Sequence, residues 1–369
     1  MTKISNAQFK SLEAEIASVC LERDEYVHGI VLALLARANV FLLGAPGTGK
    51  SMLADEVTAR LKGASLFAVL MTRFTTPDEI LGPVSLKALE QERLERVPTG
   101  MLQEAHVAFL DEVFKANSAI LNALLTAMNE RHVTVGGKRI KIPLFTMIGA
   151  SNEGPQGEDL AAVYDRFVLR YVVPSLQSED SLRKLLVAPR STATPTVAVT
   201  LGDVQAAQAE VDALPVSDAA ANAALSIRLG LAQQGVRPSD RRLKASVQIA
   251  RAEAWLAGRA QVDVEDLAVF VHTLWGENGE RAKVRTVVYD VALPGLAKAM
   301  ELYDLAVEQQ GVIASSDERT RMEGMRKLRE LDKECDGLAK ASGASAKVRE
   351  VAVKIATLKK AAVKAVMGE

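Results

Sequence analysis

Apolar positions along the chain follow two rhythms, and the switches between them divide it into regions. Phe9, Leu12, Ile16, Val19 and Cys20 fall at three- and four-residue steps within 5–38, which predicts a helix with one buried face. A second helix is expected over 26–37. Val40, Phe41, Leu42 and Leu43 are an unbroken apolar run, expected as a buried strand that leads into a glycine-rich turn and a helix over 51–61. Short apolar runs at 66–71, 107–110, 144–150 and 168–173 predict further strands, with helical stretches between most of them. Strands alternating with helices imply a mostly parallel sheet covered by helices, ending near Pro174.

Beyond that proline the rhythm is helical. Residues 176–275 are alanine-rich and carry no convincing strand signal, so they are expected to form an all-helical domain, and 276–316 continue in helices. Met322, Met325, Leu328, Leu331, Cys335 and Leu338 form one apolar stripe, and Val348, Val351, Ile355, Leu358, Ala362 and Val366 form another. Ala341-Ser342-Gly343-Ala344-Ser345 between them is a turn signal, so an antiparallel helical hairpin is expected over 317–367. Between Lys340 and Lys364 there are seven basic residues against one acidic residue, Glu350. A solvated helix face and a docking surface for an acidic partner both fit that excess.

Composition adds boundaries. The chain has 369 residues, 49% of them apolar and 25% charged, with a formal net charge of -1. That is room for two or three domains with a sizeable core, and no global field for nucleic acid or membrane. Cys20 and Cys335 lack a pairing motif, and His28, His106, His132 and His272 lack metal-ligand spacing. The N-terminus has no signal pattern, and the apolar stretch 29–43 is broken by Arg37 and Asn39, so a cytoplasmic protein with no membrane span is expected.

The candidate chemistry begins with Gly44-Ala45-Pro46-Gly47-Thr48-Gly49-Lys50-Ser51, which fits G-x-x-x-x-G-K-[ST]. Glycines let successive N–H groups turn inward, the following helix points its positive end at the same anion, Lys50 reaches phosphate oxygens, and Ser51 offers a hydroxyl to magnesium. The position after an apolar strand and before a helix is what that mechanism requires. Val107-Ala108-Phe109-Leu110-Asp111-Glu112 is a buried strand ending in two carboxylates. Parallel sheets bind ligands at such ends, so Asp111 is expected to orient a magnesium shell and Glu112 to polarise water. The strand at 144–150 ends in Ser151-Asn152-Glu153, where Asn152 is either a turn residue or a contact to water or γ-phosphate.

These elements, in this order, resemble the AAA+ ATPases. The stretch Phe74-Thr75-Thr76-Pro77-Asp78-Glu79-Ile80-Leu81-Gly82-Pro83 looks like the segment before the helix-2 insert of the MoxR family. The run from Phe109 through Asn122 to Met128-Asn129-Glu130-Arg131 is very similar to its RavA-like branch, and Tyr164-Asp165-Arg166-Phe167 and Ser239-Asp240-Arg241-Arg242 match too. The resemblance covers roughly 5–275 and leaves the rest unmatched.

The resemblance implies an α/β P-loop AAA+ core over 1–175, an all-α lid over 176–275, and a helical extension over 276–369 with its hairpin. It implies a helix-2 insert at about 83–99 and a hairpin at 131–143 before sensor 1, the latter basic through Arg131, Lys138, Arg139 and Lys141. Gly44 to Ser51 would hold ATP, Ser51 and Asp111 would hold Mg2+, and Lys50, Asp111, Glu112 and Asn152 would serve catalysis. Arg166 would be the arginine finger of a neighbouring subunit's site, with Arg170 as competitor, and Arg241 would be sensor 2, with Arg242 as competitor. It further implies a homo-oligomeric, hexameric ring acting as a chaperone-like remodeller, with a partner bearing a von Willebrand factor A domain. A nucleic-acid motor is the alternative, since related helicases carry similar insertions, but the net charge of -1 and the lack of a separate nucleic-acid motif weigh against it. A scaffold that binds ATP without cleaving it has no need of Glu112.

Overall fold

A computed structural model describes residues 6–187, 195–313, 317–341 and 344–367. Ser342 and Gly343 of the expected turn lie outside the described residues. The strands are β1 (Val40–Leu43), β2 (Leu61–Lys62), β3 (Leu66–Leu70), β4 (Val107–Asp111), β5 (His132–Val135), β6 (Lys138–Lys141), β7 (Thr146–Ser151), β8 (Leu169–Val172) and β9 (Val199–Thr200). The helices are α1 (Asn6–Val19), α2 (Asp24–Ala36), α3 (Lys50–Ala59), α4 (Pro77–Leu81), α5 (Leu86–Leu89), α6 (Ser118–Glu130), α7 (Glu158–Arg166), α8 (Glu179–Val187), α9 (Leu201–Ala213), α10 (Asp218–Gln233), α11 (Asp240–Ala257), α12 (Arg281–Ala292), α13 (Leu296–Ile313), α14 (Glu318–Lys340) and α15 (Ala346–Met367).

The main sheet has five strands in the order β3-β4-β7-β1-β8, every neighbouring pair parallel. Its central strands are buried at nearly every position, which is why they read as continuous apolar runs rather than alternations. Helix α2 is buried from Tyr26 to Ala36 along almost its whole circumference, because β1, β7 and β8, α1, α9 and α11 all pack on it. Local signals set the helix starts. Asn117 caps α6 by accepting from the N–H of Ile120, Ser239 caps α11 by accepting from that of Arg242, and Thr200 with Asp203 makes a capping box at α9. Gly258 closes α11 in the left-handed conformation.

The chain divides into two compact units. The first comprises 1–216, 238–262 and 272–277, and the second 217–237, 263–271 and 278–369. The expected 176–275 region is therefore shared between units. Helix α11 buries Ile249, Ala250 and Leu256 in the first unit, packing on α1, α2 and α9, whereas α10 packs on α12 in the second. Strands β2 and β9, two residues each, pair in parallel across a long stretch of chain and left no periodic trace in the sequence.

In the second unit α13, α14 and α15 pack on one another. The α14 stripe buries Met325, Leu328, Leu331 and Cys335 but leaves Met322 63% exposed. Val348, Val351 and Ile355 face them from α15, and Lys359 pairs with Asp332 across the hairpin.

Candidate functional site

The phosphate loop joins β1 to α3 at the carboxyl end of the sheet. Register places Leu43 beside Ser151 of β7 and Val172 of β8, and the N–H of Gly44 continues the ladder to the carbonyl of Ser151 at 3.0 Å. Gly47 and Gly49 have φ of 77° and 79°, a region open to glycine at no steric cost. The loop is anchored from outside. Arg23 donates to the carbonyls of Thr48 at 3.2 Å and Pro174 at 2.9 Å, and the Thr48 hydroxyl donates to Ala45 O at 2.9 Å. Lys50 is buried, and its ammonium donates to the carbonyls of Gly44 at 2.7 Å and Ala45 at 2.9 Å. Burial lowers its pKa, opposed by the charges of Asp111 and Glu112.

Asp111 ends β4, and its carboxylate accepts from the N–H of Glu112 at 3.0 Å. Glu112 occupies the left-handed region at φ 50°, a costly conformation for a residue with a Cβ. Its carboxylate lies 3.3 Å from the Lys115 ammonium and accepts from the Ser151 hydroxyl at 3.4 Å. Asn152 follows β7 and is exposed at the same end of the sheet. The structure thus gathers the loop, Asp111, Glu112 and Asn152 at one end of β1, β4 and β7.

That arrangement fits a nucleoside triphosphate with a divalent cation. A Cβ built on Gly47 meets nothing within 4 Å, so the loop has open space over it. Around that space stand a buried ammonium, the start of a ten-residue helix, an exposed Ser51 hydroxyl and the Asp111 carboxylate. Hard oxygen donors of this kind suit Mg2+ bound jointly with phosphates.

The arginines lie elsewhere. Arg166 ends α7 and precedes β8, whose Leu169 pairs with Val40 at the opposite end of β1 from the loop. Three residue steps separate those ends of the four-residue strand, roughly 10 Å at about 3.3 Å per residue. A cavity of about 220 Å³ there is lined by Arg37, Asn39, Asp165, Arg166, Arg241 and Gln248, among others. Burial lowers the pKa of Arg166, the charge of Arg241 lowers it further, and Asp165 opposes both. The Arg166 Nε is buried without a hydrogen-bond partner.

Burial separates the competing arginines. Arg170 is 2% exposed, donates to the carbonyls of Phe167, Tyr164 and Trp275, and stacks 3.6 Å over the Tyr164 ring. Arg242 is 5% exposed, pairs with the Asp165 carboxylate and donates to the carbonyls of Asp165 and Thr273. Both side chains are consumed inside the fold. Arg37 and Arg242 line the cavity too, paired with Asp212 and Asp165, and of the four candidate arginines Arg166 and Arg241 are the less buried pair.

Sequence reasoning missed several residues. Arg131 is not part of a basic hairpin face: it caps α6 at φ 54° and donates to Arg37 O at 2.7 Å and Asn39 Oδ1 at 3.0 Å. Asn39 and Arg23 carried no motif of their own, and Lys115 stood within the 109–131 run without an assigned role. Beyond the loop, β5 and β6 form an antiparallel hairpin turning on Gly136 and Gly137, both at positive φ. A Cβ on Gly136 would lie 2.3 Å from Leu94 O, so the segment closed by the Val84–Arg96 bridge rests on the hairpin turn. Leu86 of that segment is 77% exposed.

Comparison with known proteins bears on these features. Residues 7–214 match a family described as the MoxR domain in the MoxR-vWA-beta-propeller ternary systems, and residues 221–288 match an AAA lid domain. An uncharacterized protein of Methanocaldococcus jannaschii is 38% identical over 284 residues, covering 77% of this chain and 75% of that one. Chaperone MoxR1 of Mycobacterium tuberculosis is 28% identical over 175 residues, covering 46% and 45%. A crystal structure assigned as an ATPase from Cytophaga hutchinsonii superimposes with a TM-score of 0.62 at 15% identity, covering 78% of this chain and 93% of that one. Among the described residues no helix is long and apolar enough to cross a membrane.

Proposed function

The chain belongs to the MoxR family of AAA+ ATPases, and from that premise we propose a ring-forming motor that couples ATP hydrolysis to remodelling of protein complexes. Its fold is an α/β AAA+ core followed by an all-α lid and a C-terminal helical hairpin. One observation carries the reading: Arg166 and Arg241 share a cavity at the end of β1 remote from the chain's own phosphate loop. Four arginines, Arg37, Arg166, Arg241 and Arg242, line it against one carboxylate, Asp165, which lies 3.8 Å from Arg166 and also pairs with Arg242, so the cavity keeps an excess of positive charge that favours an anion. The chain's own nucleotide would be bound at the other end of the strand, so the anion would be the γ-phosphate held by a neighbouring subunit.

In this mechanism the loop N–H groups and Lys50 bind the phosphates, and Ser51 and Asp111 hold Mg2+. Held by Ser51 and Asp111, the cation would neutralise phosphate charge. Glu112 takes the proton of the attacking water, and Asn152 orients that water or the γ-phosphate. The products are ADP and phosphate. Glu112, resting against Lys115 and Ser151, would turn toward that water. Arg166 and Arg241 then stabilise the charge on a neighbour's equatorial oxygens, an effect worth about 10³–10⁵ in rate for a finger of this kind.

The ternary systems named by the matched family support a partner bearing a von Willebrand factor A domain and a further β-propeller protein. Exposed Leu86 and the hairpin it neighbours would be the client-facing surface. The similarity of the 109–131 run supports a RavA-like placement, the family resemblance supports a hexamer, and we place the ring in the cytoplasm. The test is ATP hydrolysis against protein concentration for the parent, Glu112→Gln and Arg166→Ala. Specific activity should rise with concentration, both variants should be inactive, and mixing them should restore turnover because each supplies what the other lacks. Concentration-independent activity with Arg166→Ala unaffected would remove the trans arrangement.

A further inference from the structure

The last turn of α7 leaves its terminal carbonyls without helical partners, as every helix end does. Here three buried side chains satisfy them. Arg170 donates to Tyr164 O at 2.8 Å, Arg242 to Asp165 O at 3.0 Å, and Asn39 to Arg166 O at 3.2 Å. Arg170 also reaches Phe167 O at 3.1 Å. The turn that carries Arg166 is therefore pinned carbonyl by carbonyl.

Asn39 differs from the two arginines because it passes the connection on. Its side-chain oxygen accepts from Arg131 at 3.0 Å, and its amide also approaches Met128 O at 3.5 Å. Asn39 is 3% exposed, and burial together with the charge of Arg37 lowers the Arg131 pKa. Arg131 donates as well to Arg37 O at 2.7 Å and Phe145 O at 3.3 Å. Its own carbonyl accepts from the N–H of Ile142 at 2.8 Å, which closes the base of the β5–β6 hairpin. A continuous hydrogen-bonded path thus runs from the hairpin base through Arg131 and Asn39 to the carbonyl of Arg166.

We propose that Asn39 and Arg131 are positioning residues for Arg166, bracing it from the base of the β5–β6 hairpin. The proposal rests on the reading that Arg166 serves a neighbour's nucleotide. A guanidinium stabilises developing charge only if it is held in place, and a displacement of about 1 Å can cost on the order of 100-fold in rate. The brace supplies that rigidity, and it makes the position of Arg166 depend on the hairpin.

Asn39→Asp is the primary test. The aspartate is the same shape and keeps an acceptor for Arg131, but it replaces the donor to Arg166 O with an oxygen that repels it. We expect kcat to fall roughly 10- to 100-fold while KM for ATP and fluorescent-nucleotide affinity stay at the parental value, since the variant's own loop is untouched. Mixing it with Glu112→Gln protein, whose arginine face is intact, should restore turnover as it does for Arg166→Ala. Asn39→Asp should add nothing in an Arg166→Ala background, and Arg131→Lys should show the same pattern more weakly.

Parental turnover in Asn39→Asp alongside an impaired Arg166→Ala would overturn the brace and leave the trans reading standing. In a variant that folds, a loss that mixing cannot repair, or that comes with lost nucleotide affinity, would also overturn it. Asn39→Ala repeats the measurement if the aspartate variant does not fold. An unaffected Arg166→Ala would remove both readings, and is recognised by that variant alone.

Discussion

The guanidinium of Arg242 meets the carboxylate of Asp165 at 3.1 Å, one residue before Arg166, while the adjacent Arg241 faces the cavity. Neighbouring positions on α11 point in different directions around the helix, so one arginine is drawn into the fold and the other is left available. Truncating a buried, paired arginine strands its partners, at a cost of about 3–5 kcal/mol. Arg242→Ala should lose stability of that order. Arg241 is exposed, and Arg241→Ala should change stability by no more than about 0.5 kcal/mol yet lower turnover. Urea denaturation of the two variants beside steady-state hydrolysis checks the pair. Equal losses of stability would place both arginines in the same structural role.

Gly44 is constrained by backbone rather than by side chains. A Cβ there would lie 2.4 Å from the carbonyl oxygen of Val173, which is itself held in register by its N–H bond to Leu43 O at 2.7 Å. Neither partner can give way cheaply, so Gly44→Ala should displace the entry to the phosphate loop and weaken nucleotide binding, measured by titration with a fluorescent analogue. Gly311 gives the contrast. It lies within α13 with nothing near a built Cβ, and Gly311→Ala should stabilise the second unit by about 0.5–1 kcal/mol.

His28 ties three helices of the first unit. Its ring N–H groups donate to Glu13 of α1 and Glu253 of α11, each at 2.7 Å. Burial favours the neutral ring, but the two carboxylates outweigh it and hold the pKa up at about 10. The folded pKa is raised above the unfolded value near 6.5. The protonated clamp therefore contributes in full below about pH 6.5, and its contribution is lost as pH rises toward about 10. Denaturation midpoints between pH 7 and 10 should fall for the parent and fall less for His28→Gln. Parallel slopes would mean that other groups carry the dependence.

The loop at 44–51 and the carboxylates at 111–112 were legible because their chemistry is contiguous: strand, turn and helix start sit together in the sequence. The helical hairpin was legible from two stripes, although Met322 proved exposed. Which of the four arginines are consumed inside the fold could not be read from sequence, because burial is tertiary. Asn39 and Arg131 are 92 residues apart, and Asn39 and Arg166 are 127 apart. Neither link leaves a local pattern. Nor could alanine-rich helicity tell that α11 joins the core unit and α10 does not, because both helices carry apolar faces and only the partner differs.

Charge alone should not replace Arg166. A lysine at that position keeps the positive charge but presents a compact, strongly hydrated ammonium in place of a planar fork. Two features of the native side chain argue for the fork. One Nη donates to Ala162 O at 3.2 Å and holds the guanidinium against α7, while the buried Nε has an N–H still open to an arriving anion. An ammonium has no N–H at the Nε position and no planar fork to offer that anion. Arg166→Ala should therefore reduce kcat by about 10³-fold or more, and Arg166→Lys should recover only a small part of it, with KM for ATP little changed in both. Near-parental kcat in Arg166→Lys would mean that the cavity needs a positive charge and not this geometry.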